Sequence, residues 1–355
     1  MKRILALVLS VLMVLCLFAG CGKDEEKSPN APDVNGDGLN KNEVVSGPIN
    51  PLTGEKVSED KSDLRPYCVM INNHPDARPS VGLSQASIIY EALAEGGITR
   101  MMAVFNDVDG ITVGSLRSAR PYYISMAQAY DAIYIHAGGS EQAYSDIKTL
   151  GIDNMDGVRG ARSGEASSYY RDQTRLSQGK NVEHTLFADG SKLASFCKNN
   201  YELKHDSSYD NTYGLSFAED AVSQCTSSSA DFTVYYSYYN TTFKYDTDKK
   251  CYHAFISGDE YIDGGNNSSI DLANVIVLNV PTKTIDSYGR QAMELTGSGY
   301  FFTGGKYVEI KWTRADRADN FHYTLKDGTP LNLSVGKTWI SIAPLDSTKG
   351  IVFNG

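Results

Sequence analysis

Arginine is concentrated in one stretch of this 355-residue chain. Residues 64–180 contain nine of its thirteen arginines but only two of its twenty lysines. A guanidinium group offers a rigid fork of donors that binds carboxylates or phosphates in a bidentate way, whereas lysine would serve solubility equally well. Because twelve acidic residues lie in the same stretch, the arginines are predicted either to pair internally or to face an anionic ligand. The residues predicted to bind such a ligand are Asn72, Arg78, Arg100, Arg117, Arg120 and Arg171.

Two of these arginines flank a predicted helix start. If Ser118 caps the helix that follows it, Arg117 precedes the helix and Arg120 lies in its first turn. The unpaired N–H groups and partial positive charge of a helix start favour an anion, and two guanidinium groups would add to that preference. The alternative is that both arginines bind acids such as Glu91 and Glu95 and brace the loop.

Glu91, Glu95 and His136 are the candidate acid–base residues. His136 ends an apolar run just before a Gly-Gly pair, at the kind of strand–helix turn where ligands of open α/β sheets bind. Glu91 is predicted to point inward, which requires a partner, and Arg100 across a hairpin is the expected one. A structural role is the alternative for each, and the sequence favours it for the two glutamates. The sequence contains neither G-x-S-x-G nor H-E-x-x-H.

The elements that must position these residues indicate a mixed α/β (α+β) domain followed by a mainly antiparallel β domain. Apolar, β-rich runs alternate with capped helix patterns up to about residue 200, and short aromatic runs separated by turn residues follow from about 228. The predicted strands of the first domain are 67–72, 88–94, 98–105 and 132–136, and its predicted helices are 119–130, 141–150 and 191–199. We predict domains at 64–227 and 228–355.

The first 21 residues have the pattern of a lipoprotein signal. A basic start, the apolar run Ile4–Phe18 and the small pair Ala19-Gly20 precede Cys21. We predict that residues 1–20 are a signal peptide and that Cys21 receives a diacylglycerol. This modification would anchor the mature chain to the extracytoplasmic face of the cell membrane.

An acidic, disordered tether is predicted at residues 21–63. Ten acids and five lysines lie between positions 23 and 63, with few apolar residues that could form a core. Within it, Asp33–Gly38 copies the first half of a calcium-binding loop. Position 12 of that loop should be Glu but is Val44, so weak or no calcium binding is expected.

Charge and cysteine content exclude some classes of protein. The formal charge of −10 and the pI of about 5.1 argue against nucleic-acid binding. Cys68 lies in an apolar run and is predicted to be buried, whereas Cys197, Cys225 and Cys251 are candidates for one disulfide. The chain has no C-x-x-C motif, so no metal site and no cofactor are predicted.

Several short motifs carry a family resemblance that covers roughly residues 50–355 of the sequence. They include Asn50-Pro51-Leu52-Thr53-Gly54, Glu95-Gly96-Gly97-Ile98-Thr99-Arg100, Arg117-Ser118-Ala119-Arg120-Pro121-Tyr122, His136-Ala137-Gly138-Gly139-Ser140 and Gly336-Lys337-Thr338-Trp339-Ile340. With these motifs the chain resembles the YerB-like lipoproteins of Gram-positive bacteria, whose two domains are of unknown function. One departure is Thr185 after His184, where the family has Asn. The resemblance implies a fold and a cellular location, and it implies no reaction.

Three functions are compatible with these patterns. The leading hypothesis is a lipid-anchored extracytoplasmic binding or accessory protein of the cell envelope, with an arginine-rich site for a cell-wall glycan, a peptide carboxylate or an envelope protein. The second is an envelope hydrolase or transferase that uses Glu91, Glu95 and His136. The third is a structural scaffold with no small-ligand site, in which every arginine is paired internally.

Overall fold

The computed structural model describes residues 47–284, 291–293, 296–344 and 350–354. The predicted signal peptide, Cys21 and the Asp33–Gly38 loop lie outside these residues. None of the helices in the described part is long and apolar enough to cross a membrane.

Four α-helices and twenty-one strands are present in the described residues. The helices are α1 Pro121–Ala129, α2 Glu141–Leu150, α3 Gln173–Ser177 and α4 Gly190–Asn200. The strands are β1 Tyr67–Asn72, β2 Ile88–Leu93, β3 Thr99–Phe105, β4 Thr112–Gly114, β5 Ile133–His136, β6 Asn154–Asp156, β7 Tyr169–Arg171, β8 Leu186–Asp189, β9 Ser227–Ser228, β10 Asp231–Tyr235, β11 Asn240–Asp246, β12 Cys251–Ile256, β13 Asp259–Glu260, β14 Asn274–Val280, β15 Thr282–Thr284, β16 Gln291–Met293, β17 Thr296–Thr303, β18 Lys306–Thr313, β19 His322–Leu325, β20 Thr338–Pro344 and β21 Ile351–Phe353. Every regular element described after residue 228 is a strand, which confirms the predicted mixed α/β to β-rich order.

One large mixed sheet connects the two halves of the chain. Within the described ranges it has eleven strands in the order β19-β18-β17-β14-β20-β2-β3-β1-β5-β6, with β9 beside β18. Strand β20, near the C-terminus, pairs in parallel with both β2 and β14. Its register places Ile88 opposite Thr338 and Ala92 opposite Ile342. The predicted boundary at 227/228 remains a prediction, and the sheet runs continuously across it.

Both faces of this sheet are covered. In β1, Val69 belongs to one hydrophobic cluster and Met70 to the other, because successive side chains of a strand point to opposite faces. The cluster of Met70 includes the α1 residues Ile124 and Ala127. The cluster of Val69 includes Phe232, which lies on a second sheet of order β13-β12-β11-β10-β21. Burial on both faces explains why β1 has a continuous apolar sequence rather than an alternating one.

The folded body begins earlier than the sequence indicated. Leu52 is fully buried, and the N–H groups of Thr53 and Gly54 donate to the carbonyl of Asn50 in a tight turn. The N–H of Gly336 in turn donates to the carbonyl of Thr53 at 2.8 Å. The prediction of disorder is therefore wrong for residues 47–63. The buried side chain of Leu52 and the hydrogen bond from Gly336 to Thr53 attach this segment to the folded body.

Helix α1 also differs from its prediction. It begins at Pro121, and its N-cap is Arg120, without a side-chain capping bond, instead of Ser118. Proline suits the first helical position because its fixed φ matches the helix and its missing N–H is not needed there. The predicted cap of α2 is confirmed, since Ser140 Oγ accepts from the N–H of Ala143 at 3.2 Å.

All four cysteines of the described residues are free and buried, so the predicted disulfide is wrong. Cys197 lies in the hydrophobic cluster on one face of the large sheet, where its Sγ is 3.5 Å from Met155 Sδ. Cys225 lies in the cluster on the other face. The large sheet thus separates these two thiols. Cys251 lies on β12, and burial of Cys68 is confirmed.

A buried carboxylate ties the two sheets together. Glu91 on β2 is fully buried, and its oxygens accept from Thr99 Oγ1 at 2.7 Å, Thr241 Oγ1 at 2.8 Å and Tyr236 OH at 3.1 Å. Arg100, the partner expected from the sequence, lies opposite the next residue of β2 and so faces away from Glu91. Burial raises the pKa of Glu91, and the hydroxyl donors oppose part of that rise.

A Glu91→Gln variant tests this raised pKa. The folded protein holds the Glu91 proton more tightly than the unfolded chain, so this carboxyl contributes stability that is lost as the pH rises above its ordinary pKa of 4.5. We expect urea denaturation to show that Glu91→Gln gains stability relative to the wild type as the pH is raised. Parallel pH profiles of the two proteins would contradict the assignment. Glu219→Gln, at an exposed position, is the control and should follow the wild type.

Candidate functional site

The candidate site lies where two parallel strands separate. Strands β1 and β5 are paired as far as Val69 and Ile135. Beyond this point Arg117 enters between them: its N–H donates to the carbonyl of Met70 at 2.9 Å, and its carbonyl accepts from the N–H of Ala137 at 3.0 Å. In open α/β sheets, ligands bind in the crevice beyond the carboxyl ends of strands that part in this way.

An open cleft of about 470 Å³ lies at this point, which is within the usual size of a small-ligand site. We call it the arginine cleft, because Arg117, Arg159 and Arg171 line it. The rest of its lining consists of Leu116, Ser118, Ala137, Gly138, Gly139, Tyr144, Val158, Val182, Glu183 and Leu186. Three positive side chains and one negative side chain therefore line the cleft, a formal balance of +3 − 1 = +2.

The three arginines are held in different ways. Arg117 Nη1 donates to Glu183 Oε2 at 2.7 Å, and this bond lowers the pKa of Glu183. The Nε of Arg117 is buried and has no hydrogen-bond partner. Arg171 Nη1 donates to the carbonyl of Val182 at 2.6 Å, and the Arg159 guanidinium lies over the ring of Tyr144, 4.6 Å from its centroid. Positive charge in the cleft is thus only partly balanced by protein groups.

One buried carboxylate fixes the loops around the cleft. Asp156, at the end of β6, accepts from the N–H of Gly138 at 2.7 Å and from the N–H of Val158 at 2.9 Å. Its other oxygen accepts from Tyr144 OH at 2.6 Å. Asp156 thereby links the loops after β5 and β6 to the tyrosine on which Arg159 lies. Asp156 was not among the residues predicted from the sequence.

The rim of the cleft is apolar. Val158 and Val182 are each 58% exposed, although large apolar side chains are normally covered in a folded chain. A ligand for this site would combine an anionic group with a small apolar part.

Two of the predicted ligand-binding arginines are instead part of an ion triad that is largely covered. Glu95 accepts from Arg100 Nη2 at 3.2 Å with one oxygen and from Arg120 Nε with the other. The Arg100 side chain is only 4% exposed, and its Nη1 donates to the carbonyl of Ser118 at 2.8 Å. For Arg120 this corresponds to the bracing alternative, with Glu95 as the acid, whereas Arg117 is not part of the triad.

The remaining predicted binding residues are divided. Arg117 and Arg171 line the arginine cleft, and Arg159, which was not predicted as a binding residue, joins them. Arg78 donates to the carbonyl of Asn73 at 2.9 Å and lines a separate pocket beside Tyr261. Arg159 follows a strand of only three residues, too short to stand out in the sequence.

The acid–base candidates do not line the cleft. Glu91 is enclosed by its hydroxyl donors, and Glu95 lies between two guanidinium groups. His136 is fully buried, with Nδ1 2.8 Å from the carbonyl of Gly138 and Nε2 3.1 Å from Asn154 Oδ1. Both nitrogens of its ring are thus occupied.

Asn72 orients a stacked histidine pair near the cleft. The rings of His74 and His184 lie 4.7 Å apart, and together with Asp76 they could in principle surround a metal ion. However, His184 Nδ1 accepts from Asn72 Nδ2 at 3.0 Å, and His74 Nδ1 accepts from the N–H of Asp76 at 3.2 Å. A neutral imidazole that accepts at Nδ1 carries its proton on Nε2 and has no free lone pair for a metal. This arrangement does not favour metal binding.

Comparison with known proteins places this chain in a family. Residues 52–204 match the family described as protein of unknown function (DUF3048), N-terminal domain, and residues 232–340 match its C-terminal domain. The chain is 32% identical over 300 residues to the putative lipoprotein YerB of Bacillus subtilis (strain 168), which covers 83% of this chain and 86% of that protein. It also resembles the crystal structure of the Bacillus subtilis YerB protein, with a TM-score of 0.73 and 28% identity over 86% of this chain and 99% of that one.

The ion triad predicts a large effect for one conservative substitution. Glu95→Gln would leave Arg100 buried without its carboxylate, and breaking a buried ion pair in this way costs about 3–5 kcal/mol. We expect the free energy of unfolding, measured by urea denaturation, to fall by that amount. Glu309→Gln removes an exposed partner of Lys326 and should change it by no more than about 1 kcal/mol. Equal effects of the two substitutions would refute a bracing role for Glu95.

Proposed function

Since the chain belongs to the DUF3048 family, we propose that it is a lipid-anchored extracytoplasmic accessory protein that binds an anionic cell-wall fragment in the arginine cleft. The observation that carries this proposal is the presence of three guanidinium groups around one open cleft that contains a single carboxylate. Similarity to a putative lipoprotein supports the envelope address.

Donors of the cleft arginines that no protein acceptor satisfies favour an anion over a neutral ligand. Buried polar groups are normally hydrogen-bonded, and the Nε of Arg117 has no partner in the protein. A ligand carboxylate that approached this guanidinium would form a charge-assisted bond, which is about twice as strong as a neutral one. Arg159 is held by an aromatic ring instead of an acid, so its donors are also suited to a ligand.

The difference between the arginines of the cleft and those of the ion triad argues against a purely structural role. Around Glu95, two arginines share one carboxylate and are almost completely covered. Around the cleft, Arg171 is held by a carbonyl and Arg159 by a ring, so neither charge is neutralised by its contact. A scaffold would gain more from pairing these charges internally, because unbalanced positive charge destabilises a compact state.

The stem peptides of the cell wall match the chemistry of the cleft. They present free carboxylates next to small apolar side chains, and the cleft offers arginines next to exposed Val158 and Val182. A lipid on Cys21 would keep the cleft at the outer face of the membrane, close to such peptides. The hydrolase alternative lacks comparable support, since Glu91 and His136 are both fully buried.

Binding of soluble muropeptides tests the ligand proposal. Isothermal titration should give a dissociation constant that rises about 10–100-fold in Arg171→Gln and in Arg117→Gln, which corresponds to a charge-assisted bond of about 1.5–3 kcal/mol. Arg317→Gln is the matched control, because Arg317 is an exposed arginine that contacts Asp146 outside the cleft. Its affinity should equal that of the wild type.

Two outcomes would contradict the proposal. Equal affinity of all three variants and the wild type would place the binding elsewhere or make it non-specific. A change in the mass of the muropeptides during incubation, abolished by Glu91→Gln in a folded protein, would support the hydrolase alternative instead.

The lipid anchor is tested separately. A Cys21→Ser variant expressed in its native host should move from the membrane fraction to the soluble fraction, because the acceptor thiol of the lipid is gone. Immunoblotting of the two fractions measures this change, and Cys225→Ser, which alters a buried thiol of the body, is the control. Membrane retention of Cys21→Ser would refute lipidation at that residue.

A further inference from the structure

A second group of side chains with ligand chemistry lies on the five-stranded sheet. Cys251 and His253 are two residues apart on β12 and therefore point to the same face of the strand. A bridge between Tyr252 and Leu272 brings the neighbouring Asp271 beside them. One atom from each of Cys251, His253 and Asp271 lies within 4.8 Å of the other two.

A carboxylate fixes the protonation pattern of the histidine. Glu260, at the end of the β12–β13 hairpin, has its Oε1 2.9 Å from His253 Nδ1. This Oε1 also accepts from Ser269 Oγ at 2.7 Å, which holds the carboxylate in place. An ionised carboxylate only accepts hydrogen bonds, so Nδ1 must carry the proton. In the neutral imidazole, Nε2 then has a free lone pair.

This lone pair lies beside another acceptor. His253 Nε2 is buried, has no hydrogen-bond partner and lies 3.1 Å from Asp271 Oδ1. Two acceptor atoms at this distance repel each other unless a cation lies between them. A proton between Nε2 and Oδ1 would be enough to remove this repulsion. The thiol of Cys251, however, adds a third, soft ligand atom, which a transition metal prefers and for which a proton has no use.

We propose that Cys251, His253 and Asp271 bind a divalent transition metal of the zinc type. Sulfur, imidazole nitrogen and carboxylate oxygen form a usual zinc ligand set. With Zn–N and Zn–O distances of about 2.0–2.2 Å, a tetrahedral angle places the two donor atoms about 3.4 Å apart, close to the 3.1 Å between Nε2 and Oδ1. Glu260 acts as the outer carboxylate that orients a metal-bound histidine.

Access and coordination number follow from the surroundings. Asp271 is 52% exposed, whereas the His253 side chain is only 12% exposed, so the metal would enter from the side of Asp271. Lys249 Nζ lies 3.6 Å from Asp271 Oδ1 and would turn away into solvent as the metal binds. Three protein ligands leave a fourth position for water. The bound metal would cross-link β12 to the segment that contains Asp271.

The sequence alone did not indicate this site. No zinc site was predicted, because the sequence has no C-x-x-C motif and no compact spacing of Cys and His. Asp271 is 271 − 253 = 18 residues from His253 and reaches it only through strand pairing.

Cobalt titration of the full-length chain, purified in detergent and stripped of metal, tests the proposal. We expect one equivalent of Co²⁺ to bind and to produce the near-ultraviolet absorption of a thiolate–cobalt bond, and Zn²⁺ to displace it. Cys251→Ser should lose this band, whereas Cys225→Ser, at another buried free thiol, should keep it. Circular dichroism of each metal-free variant verifies that it is folded.

Two further variants leave the thiol in place. Asp271→Asn alters an exposed side chain and should weaken Co²⁺ binding at least about tenfold, and Glu260→Gln should weaken it about 10–100-fold through the orientation of His253. Absence of a thiolate–cobalt band in the wild type would overturn the proposal. Persistence of the band in Cys251→Ser, or unchanged affinity in both further variants, would overturn it as well.

Discussion

Backbone pairing of Arg117 with two separating strands is the interaction on which the arginine cleft depends. Its N–H binds the end of β1 and its carbonyl binds the loop after β5, so the main chain at this position is held on both sides. A side chain that starts from a fixed backbone loses less conformational freedom when it binds a ligand. Such preorganisation is expected of a recognition site on a rigid sheet.

Two acids extend this rigidity outward. Asp156 connects the loops after β5 and β6. Glu95 binds one terminal nitrogen of Arg100, and the other terminal nitrogen donates to the carbonyl of Ser118 on the cleft wall. The arginines of the ion triad thus support the wall of the arginine cleft. Glu91 has a different role, because its donors Thr241, on β11, and Tyr236, in the connection between β10 and β11, attach the second sheet to β2.

Much of the fold could be predicted from the sequence, whereas the assembly of the site could not. Apolar runs located β1, β2, β3 and β5, and the cap at Ser140 located helix α2, because these signals are local. Pairing of Ile88 with Thr338 joins positions 338 − 88 = 250 residues apart, and no local pattern encodes it. Arg117 and Arg120 also could not be distinguished from local sequence. They are the same residue type and three positions apart, yet Arg117 lines the cleft, whereas Arg120, just before the helix start at Pro121, binds Glu95.

The most direct test of the arginine cleft is to observe its guanidinium groups while a ligand binds. Arginine-selective ¹⁵N labelling and assignment by substitution would allow the Nε–H signals to be followed as soluble muropeptide is added. The signals of Arg117, Arg159 and Arg171 should shift with one common dissociation constant, while those of Arg100 and Arg120 in the ion triad stay in place. Unchanged cleft signals, or shifts confined to arginines elsewhere, would contradict anion recognition in this cleft.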